Sequence, residues 1–162
     1  IIRAPGVKGN GTASTRIVEF VAIYPTLTDL AGLKSPKGLE GRSLKPLLDN
    51  PLAKWNGTAI TQVQRPADKR LPQSVMGRSI RTERWRYTDW AEGKSGVELY
   101  DHASDPMEFN NLALKSDAEA KAVMKRLRKL LEKKATGKVP TTPFNPKRLR
   151  GCVCVLCLHR LP

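Results

Sequence analysis

The apolar positions follow a helical spacing in the first third of the chain and a two-residue alternation in the middle. Between residues 17 and 48 they recur every three or four positions, interrupted at Gly32 and ended by Asn50-Pro51. Glycine ends helices and proline cannot continue them, so we predict two short helices in this segment. The apolar run at residues 1–4, stopped by Pro5-Gly6, predicts the end of a buried strand.

From residue 58 onwards, β-branched and aromatic side chains alternate with polar ones, which is typical of strands with one buried face. Glu83-Arg84 is too polar for a core and suits a tight hairpin, and residues 91–96 provide a second turn. We therefore predict strands of an antiparallel sheet at residues 59–63, 75–82, 85–90 and 97–100, with a hairpin between the second and the third.

The longest predicted element is a helix from Ser116 to Thr136. Ser116 and Glu119 have the spacing of a capping box, in which each side chain binds a free backbone amide of the helix start. One side of the helix carries an apolar stripe made of Ala120, Val123, Met124, Leu127, Leu130 and Leu131. A small antiparallel sheet needs a helix packed on it to be stable. We therefore predict an α+β fold in which this stripe covers an antiparallel β-sheet.

The chain has 162 residues, with 29 Lys and Arg against 15 Asp and Glu, and its net charge is +14. Much of this excess lies on the predicted helix, where we interpret it as a solvated polar face. A basic nucleic-acid-binding module is an alternative, and it requires Arg78, Arg81, Arg84 and Arg86 to join that face in one patch. No apolar run reaches the roughly 18 residues that a membrane span needs, so no membrane partner is predicted.

The three cysteines, Cys152, Cys154 and Cys157, all lie near the C-terminus, together with His159. A structural zinc site would need a second group of ligands elsewhere in the chain, and the sequence has none at suitable spacing. The composition also changes abruptly after Pro146. We predict that residues 147–162 are a non-native or disordered tail, and we predict no metal site.

Several motifs occur in the order typical of a known family. They are Val75–Trp90 (VMGRSIRTERWRYTDW), Glu98–His102 (ELYDH), Asp105-Pro106 and Glu108–Leu112 (EFNNL). Together they resemble the C-terminal region of the sulfatase family, in particular its iduronate-2-sulfatase-like members. Motifs nearer the start, such as Tyr24–Leu27, fit the same order, so the resemblance extends over about residues 1–145.

The resemblance implies two regions of different architecture. Residues 1–52 would contribute one strand and two short helices to the end of a large α/β domain of the alkaline-phosphatase type. Residues 53–146 would form the smaller C-terminal subdomain, which contains the antiparallel sheet and its helix.

The resemblance also implies cofactors that this chain does not supply. Sulfatases hydrolyse sulfate esters with a formylglycine, made from the Cys or Ser of a C/S-x-P/A-x-R motif, and with a calcium ion held by acidic residues. The chain lacks that motif. We therefore expect no catalytic and no metal-ligating residue here, and no activity of the chain alone.

The partners and location follow from the same resemblance. It implies the N-terminal part of the same sulfatase as a partner, a sulfated carbohydrate as the substrate, and an exported location, whether periplasmic, extracellular or lysosomal. The chain begins without Met, inside an apolar run, which favours a piece of a longer protein. A non-catalytic interaction module derived from a sulfatase is the second alternative.

The loop after the first predicted strand is the part of the chain predicted to touch substrate. In the resembling enzymes the C-terminal subdomain borders the active-site cleft. The guanidinium of Arg65 can bind sulfate oxygens through two parallel hydrogen bonds, and the amides of Gln62 and Gln64 can bind sugar hydroxyls. We predict these three as substrate-binding residues, because they lie nearest the strand end, where position is best fixed.

Overall fold

A computed structural model of the chain describes residues 1–67, 69, 72–115 and 117–134. Its centre is an antiparallel sheet in which each strand pairs with the next one along the chain. The strands are β1 (Ala59–Arg65), β2 (Val75–Arg81), β3 (Trp85–Trp90) and β4 (Val97–Asp101). The α-helices are α1 (Ile23–Leu30), α2 (Lys45–Asp49) and α3 (Ala118–Lys134). The four predicted strands and the hairpin between β2 and β3 are confirmed, although β1 continues through Gln64 and Arg65.

Helix α3 covers one face of the sheet, as its apolar stripe predicted. The core consists of Ile80, Trp85, Tyr87 and Leu99 from the sheet with Ala120, Val123, Leu127 and Leu131 from α3. Met124 and Leu130 pack at its edge. Fully burying one large apolar side chain stabilises the fold by about 1.5–3 kcal/mol. This interface therefore contributes substantially to the stability of the chain, and the α+β prediction is confirmed.

The first turn of α3 is held by Asp117. Its Oδ1 accepts the backbone N–H of Glu119 at 2.9 Å, and its backbone oxygen accepts the N–H of Lys121 at 3.1 Å. An aspartate at this position satisfies amides that have no partner inside the helix. The predicted capping box depends on Ser116, which lies outside the described residues, as does the predicted tail at 147–162.

The two short helices predicted before residue 52 are present and are joined by a buried threonine. The hydroxyl of Thr26 donates to the carbonyl of Ala22 at 2.6 Å and accepts the N–H of Leu44 at 2.8 Å. Gly32, at φ +67°, follows the end of α1 in the left-handed conformation that glycine adopts without strain. These contacts fix the start of α2 against α1.

The strand predicted at residues 1–4 is wrong. Ile1 and Ile2 are exposed and only Ala4 is buried. None of the strands among the described residues runs beside this segment. The backbone of Ala4 forms its hydrogen bonds with a side chain instead. The amide of Asn10 accepts the N–H of Ala4 at 3.3 Å and donates to its carbonyl at 2.6 Å.

The segment before α1 is tied to the start of β1 by side chains that reach backbone groups. Glu19 Oε1 accepts the N–H of Ile60 at 2.6 Å, and Trp55 Nε1 donates to the carbonyl of Ile17 at 3.0 Å. The Arg42 guanidinium lies 3.4 Å from the centroid of the Trp55 ring. These contacts line a cavity of about 240 Å³ next to the sheet.

Large apolar side chains are exposed in and before α1. Four of them, named here the apolar patch, are Phe20, Val21, Tyr24 and Leu27. Each is at least half exposed, and Phe20 reaches 79%. Among the described residues no helix is both long enough and apolar enough to cross a membrane.

Candidate functional site

The face of the sheet opposite α3, named here the open face, forms a groove of about 570 Å³. Side chains alternate between the two faces of a strand, so the residues next to the buried core residues along each strand point into this groove. The residues that matter for its chemistry are Arg65, Gly77, Arg81, Arg86, Trp90 and Glu98. The open face thus combines three guanidinium groups with an indole ring.

Trp90 forms the floor of the groove because the residue paired with it is Gly77. A Cβ atom on Gly77 would lie 2.5 Å from Cζ3 of Trp90, which is closer than any real contact, so the ring occupies space that another residue would fill. The ring is oriented by its Nε1, which donates to Glu98 Oε1 at 2.9 Å. The indole is therefore held in one position over β2.

Arg65 lies on this indole. Its Cζ is 3.6 Å from the centroid of the Trp90 ring, at the distance of a cation–π contact. The side chain is exposed, and it takes part in no ion pair among the described residues. A stacked guanidinium keeps its N–H groups free at the ring edge, so Arg65 is placed to bind an anion in the groove.

Arg81 and Arg86 extend the positive charge along the open face. Burial lowers the pKa of the Arg81 guanidinium from its ordinary value, and its Nη1 contacts the carbonyls of Thr82 and Trp85. Arg86 forms an ion pair with Glu108 at 2.9 Å. Its Nε is buried and has no hydrogen-bond partner among the described residues. Arg81 and Arg86 therefore add positive charge to the groove, although the donors named here are buried or bound within the chain.

Glu108 also binds the one histidine of the described residues. His102 Nε2 lies 2.6 Å from Glu108 Oε1, and both side chains are mostly buried. Glu108 has φ 60°, a conformation that non-glycine residues rarely adopt. The carboxylate shared by Arg86 and His102 is a fixed structural contact at the end of the open face.

The structure separates the three residues predicted to bind substrate. Arg65 is on the open face, whereas Gln62 and Gln64 are on the α3 side of the sheet, opposite Arg78 and Met76. Gln64 Nε2 donates to Ser74 Oγ at 3.2 Å. A single bound sugar in the groove can therefore contact Arg65 but not the two glutamines, whose role in binding stays a prediction.

The four arginines that the nucleic-acid alternative requires do not form one patch with α3. Arg78 and Arg84 each make a two-point ion pair, with Asp89 and Asp101 respectively. Arg81 and Arg86 lie on the open face, on the other side of the sheet from α3.

The acidic residues that the structure describes do not fit a calcium site. No group of three or more His, Cys, Asp or Glu side chains is gathered there as metal ligands. The two most buried aspartates, Asp89 and Asp101, are occupied by their arginine partners. The cysteines lie outside the described residues.

The groove formed by Trp90, Gly77 and Arg65 was not predicted from the sequence. A glycine inside the strand pattern Val75–Arg81 is the one signal that pointed to a close approach of another group. Which residue approaches depends on the register, in which Gly77 pairs with Trp90.

The chain is similar to known sulfatases. Arylsulfatase K of Canis lupus familiaris is 30% identical over 136 residues, which is 81% of this chain and 25% of that protein. N-acetylglucosamine-6-O-sulfatase of Bacteroides thetaiotaomicron is 32% identical over 136 residues, 82% of this chain and 24% of that protein. The chain thus spans about a quarter of the length of these relatives.

A solved structure agrees with these relatives. It is described as a complex with its substrate D-glucosamine-2-N,6-O-disulfate, and it covers 70% of this chain and 23% of its own, at 28% identity and a TM-score of 0.57. None of these relatives is described as an iduronate-2-sulfatase, so that finer assignment stays a prediction. The sequence profile of the family described as N-sulphoglucosamine sulphohydrolase, C-terminal, matches residues 1–137. The chain therefore belongs to the sulfatase family and corresponds to the C-terminal region of its members.

Proposed function

We propose that this chain is the C-terminal part of an enzyme that hydrolyses sulfate esters of a sulfated carbohydrate. The observation that carries the proposal is the family match over residues 1–137. The similar solved structure holds a disulfated glucosamine as its substrate, and a similar enzyme is named N-acetylglucosamine-6-O-sulfatase. The open face supports a ligand of this kind because it presents the exposed guanidinium of Arg65 together with the positive charge of Arg81 and Arg86.

Within that enzyme the chemistry belongs to residues outside this chain. Formylglycine would supply the nucleophile and calcium would neutralise the sulfate, as in other sulfatases. The described acids do not fit the calcium, and the sequence lacks the C/S-x-P/A-x-R motif. We therefore assign no catalytic step to the residues of this chain, and we expect no turnover by the chain alone.

The N-terminal part of the same sulfatase is the proposed partner of the apolar patch. Isolated apolar side chains on a surface are normal, but several large ones within eight residues mark a surface that something covers. Phe20 and Leu27 at the two ends of this stretch are both more than half exposed. An α/β domain resting on α1 would bury them. By family resemblance alone, we also propose an exported location.

In the proposed enzyme the open face recognises the sugar next to the scissile ester. The buried indole of Trp90 supports the guanidinium of Arg65, which lies over the ring and faces the groove. Arg65 would bind a second sulfate or a carboxylate by two parallel hydrogen bonds. Gln62 and Gln64, at the same end of β1, are proposed to contact a sugar unit beyond the groove.

The test begins with the coding sequence upstream of Ile1. An in-frame C/S-x-P/A-x-R run there supports the proposal, and its absence would favour a non-catalytic interaction module. The full-length protein is then assayed for sulfate release from a sulfated glucosamine disaccharide and from an aryl sulfate, with the 162-residue chain as comparison. Release from neither substrate would contradict the proposal, and so would equal turnover by the chain alone. A signal peptide at the upstream start tests the exported location.

A further inference from the structure

The outer side of α3 carries four lysines at positions four residues apart, namely Lys121, Lys125, Lys129 and Lys133. All four are exposed. Four residues correspond to a rise of about 6 Å and slightly more than one helical turn, so this lysine row runs along one side of the helix over about 18 Å. It points away from the core, which takes the opposite side of α3.

The charge of the lysine row is not balanced within the described residues. None of its four members forms an ion pair there, and the carboxylate of Glu132 is bound by Arg128 at 3.0 Å. Like charges four residues apart destabilise a helix. Repulsion between these lysines therefore lowers the stability of α3 in the free chain. An anionic ligand bound along the row would relieve this repulsion.

The lysine row also lies apart from the surfaces already assigned. The open face is on the other side of the sheet, and the apolar patch is on the segment around α1. Lysines are strongly hydrated and are seldom fully buried unless paired. We therefore infer that α3 keeps this side in solvent when the rest of the enzyme is present.

We propose that the lysine row is a second binding surface, which holds a sulfated polysaccharide chain at a distance from the open face. The partner is identified by charge complementarity, since such a polymer repeats its sulfates along its length and can meet several lysines at once. The choice of a sulfated polymer rests on the proposed function. Nucleic acid is less well matched, because Arg81 and Arg86 lie on the other side of the sheet and do not extend the lysine row into a larger basic surface.

The test compares two variants of the 162-residue chain with the same change in charge. One replaces the lysine row, K121Q/K125Q/K129Q/K133Q, and the control replaces four exposed lysines elsewhere, K8Q/K37Q/K54Q/K94Q. Affinity for a heparin dodecasaccharide is measured at several salt concentrations, with the desulfated oligosaccharide and a DNA duplex as further ligands. Circular dichroism checks that both variants keep their helix, and the arginine version of the row should retain binding.

We expect the row variant to bind heparin about tenfold more weakly or worse, and the salt slope to fall by about one for each sulfate group that the variant no longer binds. The control should change by less than about threefold. Equal weakening in both variants, unchanged binding by the row variant, or DNA binding as tight as heparin binding would each overturn the inference. Failure of the full-length enzyme to release sulfate would contradict the proposed function, but it would leave this binding result as it is.

Discussion

A Cβ atom on Gly77 would lie 2.5 Å from Cζ3 of Trp90, so the indole occupies the space that every other side chain would need at that position. The two residues are direct partners across β2 and β3. The same indole carries the guanidinium of Arg65 on β1. One glycine therefore determines where the aromatic ring of the open face lies and, through it, where the exposed arginine is held.

Substitution of Gly77 by Ala should destabilise the chain by about 1–3 kcal/mol, since the added methyl group must displace a ring that packs against the backbone. In a Trp90→Ala background the same substitution should cost less than about 0.5 kcal/mol, because the ring is gone. Urea unfolding followed by circular dichroism measures both values. An equal cost in the two backgrounds would show that the ring is not what excludes a side chain at Gly77.

The sheet and α3 could be predicted because both depend on local periodicity. Alternation places Ile80 and Tyr87 on one face, and the 3.6-residue spacing places Leu127 and Leu131 on one stripe, whatever the rest of the protein does. Whether residues 1–4 form a strand could not be predicted from local periodicity. A short apolar run becomes a strand only where another strand lies beside it, and the sequence does not show neighbours in space.

The candidate site could not be predicted for the same reason, because the sequence does not show which residues are neighbours in space. The segment from Gln64 to Ser74 holds two prolines and several polar side chains, which predicts a loop, yet β1 includes Gln64 and Arg65. With the strand extended to Arg65, alternation separates Arg65 from Gln62 and Gln64. The contact of Trp90 with Gly77 depends on register between two strands, which a single sequence does not reveal.

Acid should unfold the chain partly through Asp101. The hydrogen bonds from Arg84 hold the pKa of this carboxyl below its ordinary value of 3.8. Its contribution to the free energy of unfolding is therefore complete above about pH 4 and is lost as the pH falls through the lower, folded-state pKa. Unfolding free energies at pH 7, 4, 3 and 2 should show a shallower acid decline for Asp101→Asn. The exposed Glu40→Gln serves as the matched control, and a decline as steep as that of the unmodified chain would argue against this role.

The apolar patch should make the isolated chain self-associate. Tyr24→Ser/Leu27→Ser replaces two large exposed side chains and should shift the sedimentation profile toward monomer, with a change in stability within about 0.5 kcal/mol. In the full-length enzyme the same variant should be destabilised by about 2 kcal/mol or more, because the side chains are then buried. The polar exposed pair Lys34→Ser/Lys37→Ser provides the control. Loss of stability in the isolated chain equal to that in the full protein would mean that no further domain covers the patch.

Arg65 should discriminate between substrates in the full-length enzyme. Arg65→Ala removes a two-point contact to an anionic group, and a charge-assisted hydrogen bond contributes about 1.5–3 kcal/mol. KM for an acidic sulfated disaccharide should therefore rise about tenfold or more, whereas KM for a small aryl sulfate, which does not reach the open face, should stay within about twofold.

Arg65→Lys should recover only part of the loss, because an ammonium group lacks the planar pair of donors. Lys94→Ala, an exposed charge in the turn between β3 and β4, should leave both KM values unchanged. Steady-state kinetics give KM for both substrates. Equal effects of Arg65→Ala on the two KM values, or no effect on either, would show that Arg65 does not contact the substrate.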